Sequence, residues 1–167
     1  MIDKINVVIQ ELQSYLEKPV IYANQNRPKP EYPFLTYSIT ATYIKGLGRE
    51  TREVEVVSSE SEIFDYDIEE NTIDQAQFTI SVTAYGDNPS SAMQLSIDAR
   101  DFINGQGRDI LRPNQVVIVE VGNITNRDTL LVDDYERRSG FDVRFRVVRE
   151  NKFKYETIEE ANINKEE

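Results

Sequence analysis

Apolar residues near the start of the chain recur every three or four positions: Ile2, Ile5, Val8, Ile9, Leu12 and Leu16. That spacing predicts one amphipathic helix of about four turns, ended by Pro19. Val20, Ile21 and Tyr22 suit a short extended piece. Pro28, Pro30 and Pro33 then impose an extended loop. Residues 34–44 are rich in Tyr, Thr and Ile, as strands are. In 52–57, Val54 and Val56 alternate with charges and predict a second strand. Residues 74–85 give the cleanest alternation. Ala76, Phe78, Ile80, Val82 and Ala84 take one face, and Gln75, Gln77, Thr79, Ser81 and Thr83 the other. One face packs and one stays polar.

Asn88 and Pro89 read as the cap and first position of a second helix. Its stripe is Ala92, Leu95, Ala99, Phe102 and Ile103, and Gly105 and Gly107 stop it. Residues 116–121 read as a buried strand and 123–129 as a loop, and 130–135 pair next. Phe141, Val143, Phe145 and Val147 alternate with Asp142, Arg144 and Arg146 in a long final strand. The predicted class is α+β: a largely antiparallel sheet of about five or six strands, with two helices packed on one face. Residues 1–155 read as a single domain and 156–167 as an acidic, flexible C-terminal tail.

Composition narrows the chemistry. The 167 residues are 39% hydrophobic, enough for a core, and contain neither Cys nor His. That excludes disulfides, thiolate nucleophiles, zinc fingers, imidazole bases and His-ligated metals. No apolar run is long enough to span a membrane, and no signal peptide is evident.

The net charge of −11 is local. Residues 60–74 hold Glu60, Glu62, Asp65, Asp67, Glu69, Glu70 and Asp74 without a base. Residues 156–167 hold five acids and one base, and the other 140 residues are neutral. Free duplex DNA is a poor primary partner, because phosphate affinity needs clustered cations. Residues 137–154 are the opposite pole: Arg137, Arg138, Arg144, Arg146, Arg149, Lys152 and Lys154 against Asp142 and Glu150. The plain reading is a solvated strand face. The sharper one is a basic subunit interface meeting an acidic surface, such as 60–74, on the next copy. Such heterologous contacts close into rings or grow into filaments.

Catalytic and ligand motifs fail one by one. A calcium loop starting at Asp65 needs Gly at its sixth position and Glu at its twelfth, where Glu70 and Ala76 stand. A solvated acidic hairpin or loop is the better reading of that run. Gly46-Leu47-Gly48 and Gly105-Gln106-Gly107 lack the third Gly of a dinucleotide loop, and no phosphate-binding Gly-Lys-Ser/Thr occurs. Acids abound, but no pair marks a glycosidase cleft. Asn123-Ile124-Thr125 fits a glycosylation sequon without a secretion signal. The first helix carries Asp3, Glu11 and Glu17 against Lys4 and Lys18, which is wrong for anionic lipid. No catalytic, cofactor or metal site is expected.

Several tracts together carry a resemblance: Gln25-Asn26-Arg27-Pro28, Pro33-Phe34-Leu35-Thr36-Tyr37, 78–86, Ala99-Arg100-Asp101-Phe102-Ile103, and the run from Tyr135-Glu136-Arg137-Arg138 to Phe145. With the short first helix, they resemble the tail (neck) terminator proteins of long-tailed bacteriophages over roughly residues 3–150. The resemblance implies a non-catalytic virion protein, assembled in the host cytoplasm into a homohexameric ring. The ring would cap the tail tube, end its polymerisation and join it to the connector or stopper of the neck, with genomic DNA only passing through. Residues 60–74 would then be a loop projecting towards the lumen or a neighbouring subunit, since like charge keeps DNA from sticking. The alternatives are another head–tail joining, tail-tube or baseplate protein, or a small acidic binding domain or enzyme unrelated to phage.

Overall fold

The computed structural model describes residues 2–46, 48–60, 65–132 and 134–156. The chain forms two compact units. The first comprises 1–46 and 76–147, the second 47–75 and 148–167.

In the first unit, α1 (Ile2–Leu16) buries Ile5, Val8, Ile9 and Leu12, the stripe its spacing predicts. The second helix, α2 (Pro89–Asn104), starts as its sequence requires. The Asn88 side chain accepts from the Ser91 backbone N–H at 2.9 Å, and Pro89 occupies the first turn. Its buried side is Ala92, Leu95, Ser96, Ala99, Phe102 and Ile103. Tyr15 of α1 stacks on Phe102 at 4.6 Å between ring centroids.

These helices share one core with one face of a sheet. Its strands are β1 (Val20–Tyr22), β2 (Phe34–Lys45), β4 (Tyr66–Gly86), β5 (Val116–Val121) and β8 (Tyr135–Glu156), in the order β1-β2-β4-β8-β5. Strand β3 (Thr51–Ser58) pairs with β4, while β6 (Thr125–Asn126) and β7 (Thr129–Leu130) pair with β8. The core face of β4 is Ala76, Phe78, Ile80, Val82 and Ala84, as its alternation predicts. Phe141, Val143, Phe145 and Val147 of β8 join it, with Phe78 and Phe145 stacked at 5.2 Å. Gly140 lets the strands close here. A Cβ at that position would collide with the Val82 carbonyl and meet Thr83 Cα at 3.0 Å.

The class is α+β, as expected, but the details differ. Among the described residues there are eight strands instead of five or six, and β1 runs parallel to β2. A third helix, α3 (Gly107–Leu111), and a 3-10 turn (Arg112–Asn114) follow the glycines that end α2. Gly105 does end α2, its N–H donating to the Asp101 carbonyl at 2.8 Å. Gly107 instead begins α3, and Leu111 buries that short helix against the core.

The second unit corrects a larger expectation. Residues 66–74 are not a loop. They are the first part of β4, paired antiparallel with β3 from Ser58↔Tyr66 to Thr51↔Ile73. The acids did not prevent a strand, because alternation places them on two faces and bases stand opposite them. Glu62 and residues 157–167 lie outside the described residues.

Candidate functional site

Three surfaces emerge, each built from residues distant in sequence. The first belongs to the second unit. Strand pairing puts Glu53, Glu55, Asp67, Glu69 and Asn71 on one face. Lys152 Nζ reaches Glu69 at 3.1 Å, and Lys154 Nζ reaches Asp67 at 3.1 Å. The hydrogen bond that Lys154 donates to Asp67, with the neighbouring acids, holds the ammonium above the usual lysine range. On the opposite face Arg149 pairs with Asp74 at 3.0 Å and Arg52 with Glu70 at 2.9 Å. The acidic segment and the end of the basic tract therefore partner one another within one unit.

The face that carries Arg149 and Arg52, with Ser58, Glu70, Thr72 and Asp74, also presents a set of apolar side chains. Val54, Val56, Tyr66 and Ile68 lie on it by register. Phe153 and Tyr155 share the parity of Arg149 and stack at 6.4 Å. Val54 is 58% exposed, Val56 68%, Tyr66 56%, and Phe153 and Tyr155 about half. Among the described residues nothing covers this face. A contiguous apolar surface rimmed by charge is the usual mark of an interaction site.

The second surface lies in the first unit, on the sheet face away from the helices. Phe34 stacks on Tyr85 at 4.7 Å and on Tyr32 at 5.6 Å. Lys29 sits over Tyr32, 4.5 Å from its centroid, and the Arg138 guanidinium lies 4.9 Å from that of Tyr85. Between the cations is Glu136, itself buried. It accepts from Arg138 Nε at 2.7 Å and pairs with Lys29. Burial pushes the Glu136 carboxyl up, but Lys29 and Arg138 outweigh it and hold the group below the ordinary glutamate range. Burial likewise lowers Lys29, and its bonds to Glu136 and Tyr32 more than reverse that. Gln25, Arg27, Lys29, Phe34, Tyr85 and Glu136 border a depression of about 200 Å³. Next to it, Arg137 pairs with Asp128 at 3.1 Å. Asp128 is held below its ordinary range, chiefly by the Arg138 backbone N–H at 2.8 Å.

Sequence reasoning did not assemble this cluster. Lys29 and Glu136 are 107 residues apart, and separation of that kind leaves no periodic trace. The signal was indirect. The tracts 25–28, 33–37, 78–86 and 135–145 supply Arg27, Phe34, Tyr85, Glu136 and Arg138, while Lys29 and Tyr32 fall between the first two.

The third surface is the outer edge of the first unit. Arg144 stands 3.5 Å from Glu120, both exposed. Arg146 makes no ion pair among the described residues, alone among the bases of 137–154. It shares a cleft with Arg108 and Arg112.

None of these surfaces carries a catalytic arrangement in the sense of a nucleophile beside its base. Among the described residues no group of acids is placed to hold a metal ion, and no helix is long and apolar enough to cross a membrane. The model of the phage neck terminator protein family matches residues 6–167, nearly the whole sequence. The chain belongs to that family, whose members are structural proteins of the phage tail and neck. No curated protein matches it.

Proposed function

From membership of the neck terminator family, we propose that copies of this chain assemble into a ring, hexameric in number. The ring caps the tail tube, ends its polymerisation and joins the tail to the connector or stopper. Genomic DNA passes through the lumen. One observation carries the self-assembly: the exposed apolar side chains of Val54, Val56, Phe153 and Tyr155 on one face of the second unit, with Ile68 beside them. Apolar side chains gathered on one exposed face favour an association that takes them out of water. In a closed assembly a neighbouring copy does so.

The charges then take second place. Most acids of 60–74 have partners within their own unit, so they are not a free counter-surface for the next copy. Their face, with Glu53, Glu55, Asp67 and Glu69, suits a lumen through which DNA slides without adhering. Glu60, Asp65, Glu70 and Asp74 flank it or lie on the opposite face. Arg137, Arg138, Arg144, Arg146 and Arg149 remain proposed contributors to the subunit interface. Arg146 is the one without an ion pair among the described residues.

Negative-stain electron microscopy and native mass spectrometry test this reading. Rings of one defined mass are expected. Replacing Val54 and Val56 together by Lys should leave a folded monomer and abolish rings. A strict monomer at high concentration, or rings indifferent to this double change, would defeat the proposal. Long tubes would point instead to a tail-tube protein.

A further inference from the structure

Three arginines line a depression of about 410 Å³ at the outer edge of the first unit: Arg108, Arg112 and Arg146. Arg108 and Arg112 come from α3 and the turn after it. Arg146 comes from β8, opposite Val117 of β5. Arg108 Nε donates to the Asn104 carbonyl at 3.1 Å, but among the described residues none of the three makes an ion pair. Asp109 is the single acid in the lining. Val117, 40% exposed, and Ile118 supply an apolar wall. Like charges gathered in a concavity repel, and an anionic occupant removes that cost.

The shape and lining select the anion. Duplex phosphates form a continuous line and are met by an extended basic stripe. A recessed cleft with an apolar wall and an acid in its rim suits a peptide carrying carboxylates beside aliphatic side chains. Guanidinium forks pair with carboxylates two bonds at a time.

The chain itself contains such a peptide. Residues 156–167 carry Glu156, Glu159, Glu160, Glu166 and Glu167 against Lys165, with Ile158 and Ile163 between them. The residues beyond Glu156 number 11 and reach up to about 38 Å when extended. We propose that segment 156–167 of one copy docks into the arginine cleft of another, as a strap between adjacent subunits. The strap rests on the self-assembly proposed above, and its binding can be measured separately from ring formation.

The test is fluorescence anisotropy with a labelled synthetic peptide of residues 156–167, added to the full-length chain carrying Val54→Lys and Val56→Lys, in which no neighbouring copy fills the cleft. Saturable binding is expected at low salt. Affinity should fall at least about tenfold at high salt, where charge pairs are screened. A similar loss is expected from Arg112→Glu with Arg146→Glu, and, on the peptide side, from Glu159→Gln with Glu160→Gln. The peptide variant cannot disturb folding, and circular dichroism checks the protein variant. Absence of saturable binding, or binding indifferent to both pairs of changes, would overturn the strap. So would a short DNA duplex that displaces the peptide from the same arginines. Native mass spectrometry alongside separates the two proposals. Rings of the wild type with no peptide binding to that monomeric variant sink the strap alone, and peptide binding alongside a wild type that stays monomeric sinks the ring alone.

Discussion

At the scale of single residues, the Glu136 network sets a pH dependence. Its carboxyl is depressed in the folded state, so its contribution to stability is present above the ordinary glutamate value, about pH 4.3, and is lost as pH falls through the depressed value. Lys29 works in the opposite sense. Its pKa is raised, so its contribution is complete below about pH 10.4 and is lost as pH climbs through the elevated value. Glu136→Gln should cost about 2 kcal/mol in urea denaturation at neutral pH. A fully buried pair would cost more, but Lys29 is 44% exposed and solvent screens it. The same variant should flatten the acid limb of the stability profile, and an unchanged limb would mean other carboxylates set it. Gly140→Ala tests packing instead. The new methyl meets backbone on β4, which cannot swing aside as a side chain would. A loss of about 1–3 kcal/mol is expected, read as a lower midpoint in thermal melting.

Between elements, the contrast is in how each strand is covered. The β4 stretch 76–84 has one face under the helices and partners on both edges. Strand β3 pairs on one edge and is exposed almost throughout. Local opening is cheapest where few apolar contacts break. Amide exchange in 51–58 should therefore run well ahead of exchange in 78–84 in the monomer, and slow on assembly. Equal protection in the two stretches of the isolated chain would contradict the assignment of β3 as an uncovered edge. Element boundaries follow the same logic. The alternation from Ala76 to Ala84 was readable because one face is wholly apolar. The continuation back to Tyr66 was not, because Asp67, Glu69, Glu70 and Asp74 interrupt it. The bases that compensate Asp67, Glu69 and Asp74 arrive only with Arg149, Lys152 and Lys154. The short helix at 107–111 escaped for another reason: five residues are too few to show a period, and tertiary contacts through Leu111 hold them.

At the scale of the whole molecule, a net charge of −11 disfavours self-association unless apolar contact outweighs the repulsion. If the Val54–Val56 face drives assembly, rings should survive high salt, which screens repulsion and leaves apolar burial intact. The arginine contacts should respond the other way. Reversing Arg144 and Arg146 to Glu should leave the monomer folded, since both are exposed, and weaken rings most at low salt. Native mass spectrometry across a salt series measures both trends, and dissociation of the wild type at high salt would transfer the main role to charge.

Spacing and residue type were enough for the α+β class, the two longer helices, the core face of the central strands and the exclusion of His and Cys chemistry. Each of these is a local property, written in spacing or in residue type. Only the tertiary structure decided which acids are already paired, that Lys29, Tyr85, Glu136 and Arg138 form one network, and that Arg108, Arg112 and Arg146 share a cleft. It also decided that Val54, Val56, Phe153 and Tyr155 share one exposed face of the second unit. The reason is physical: charge compensation and burial depend on distances between residues that a chain brings together only by folding, whereas periodicity is fixed by the backbone geometry of each segment alone.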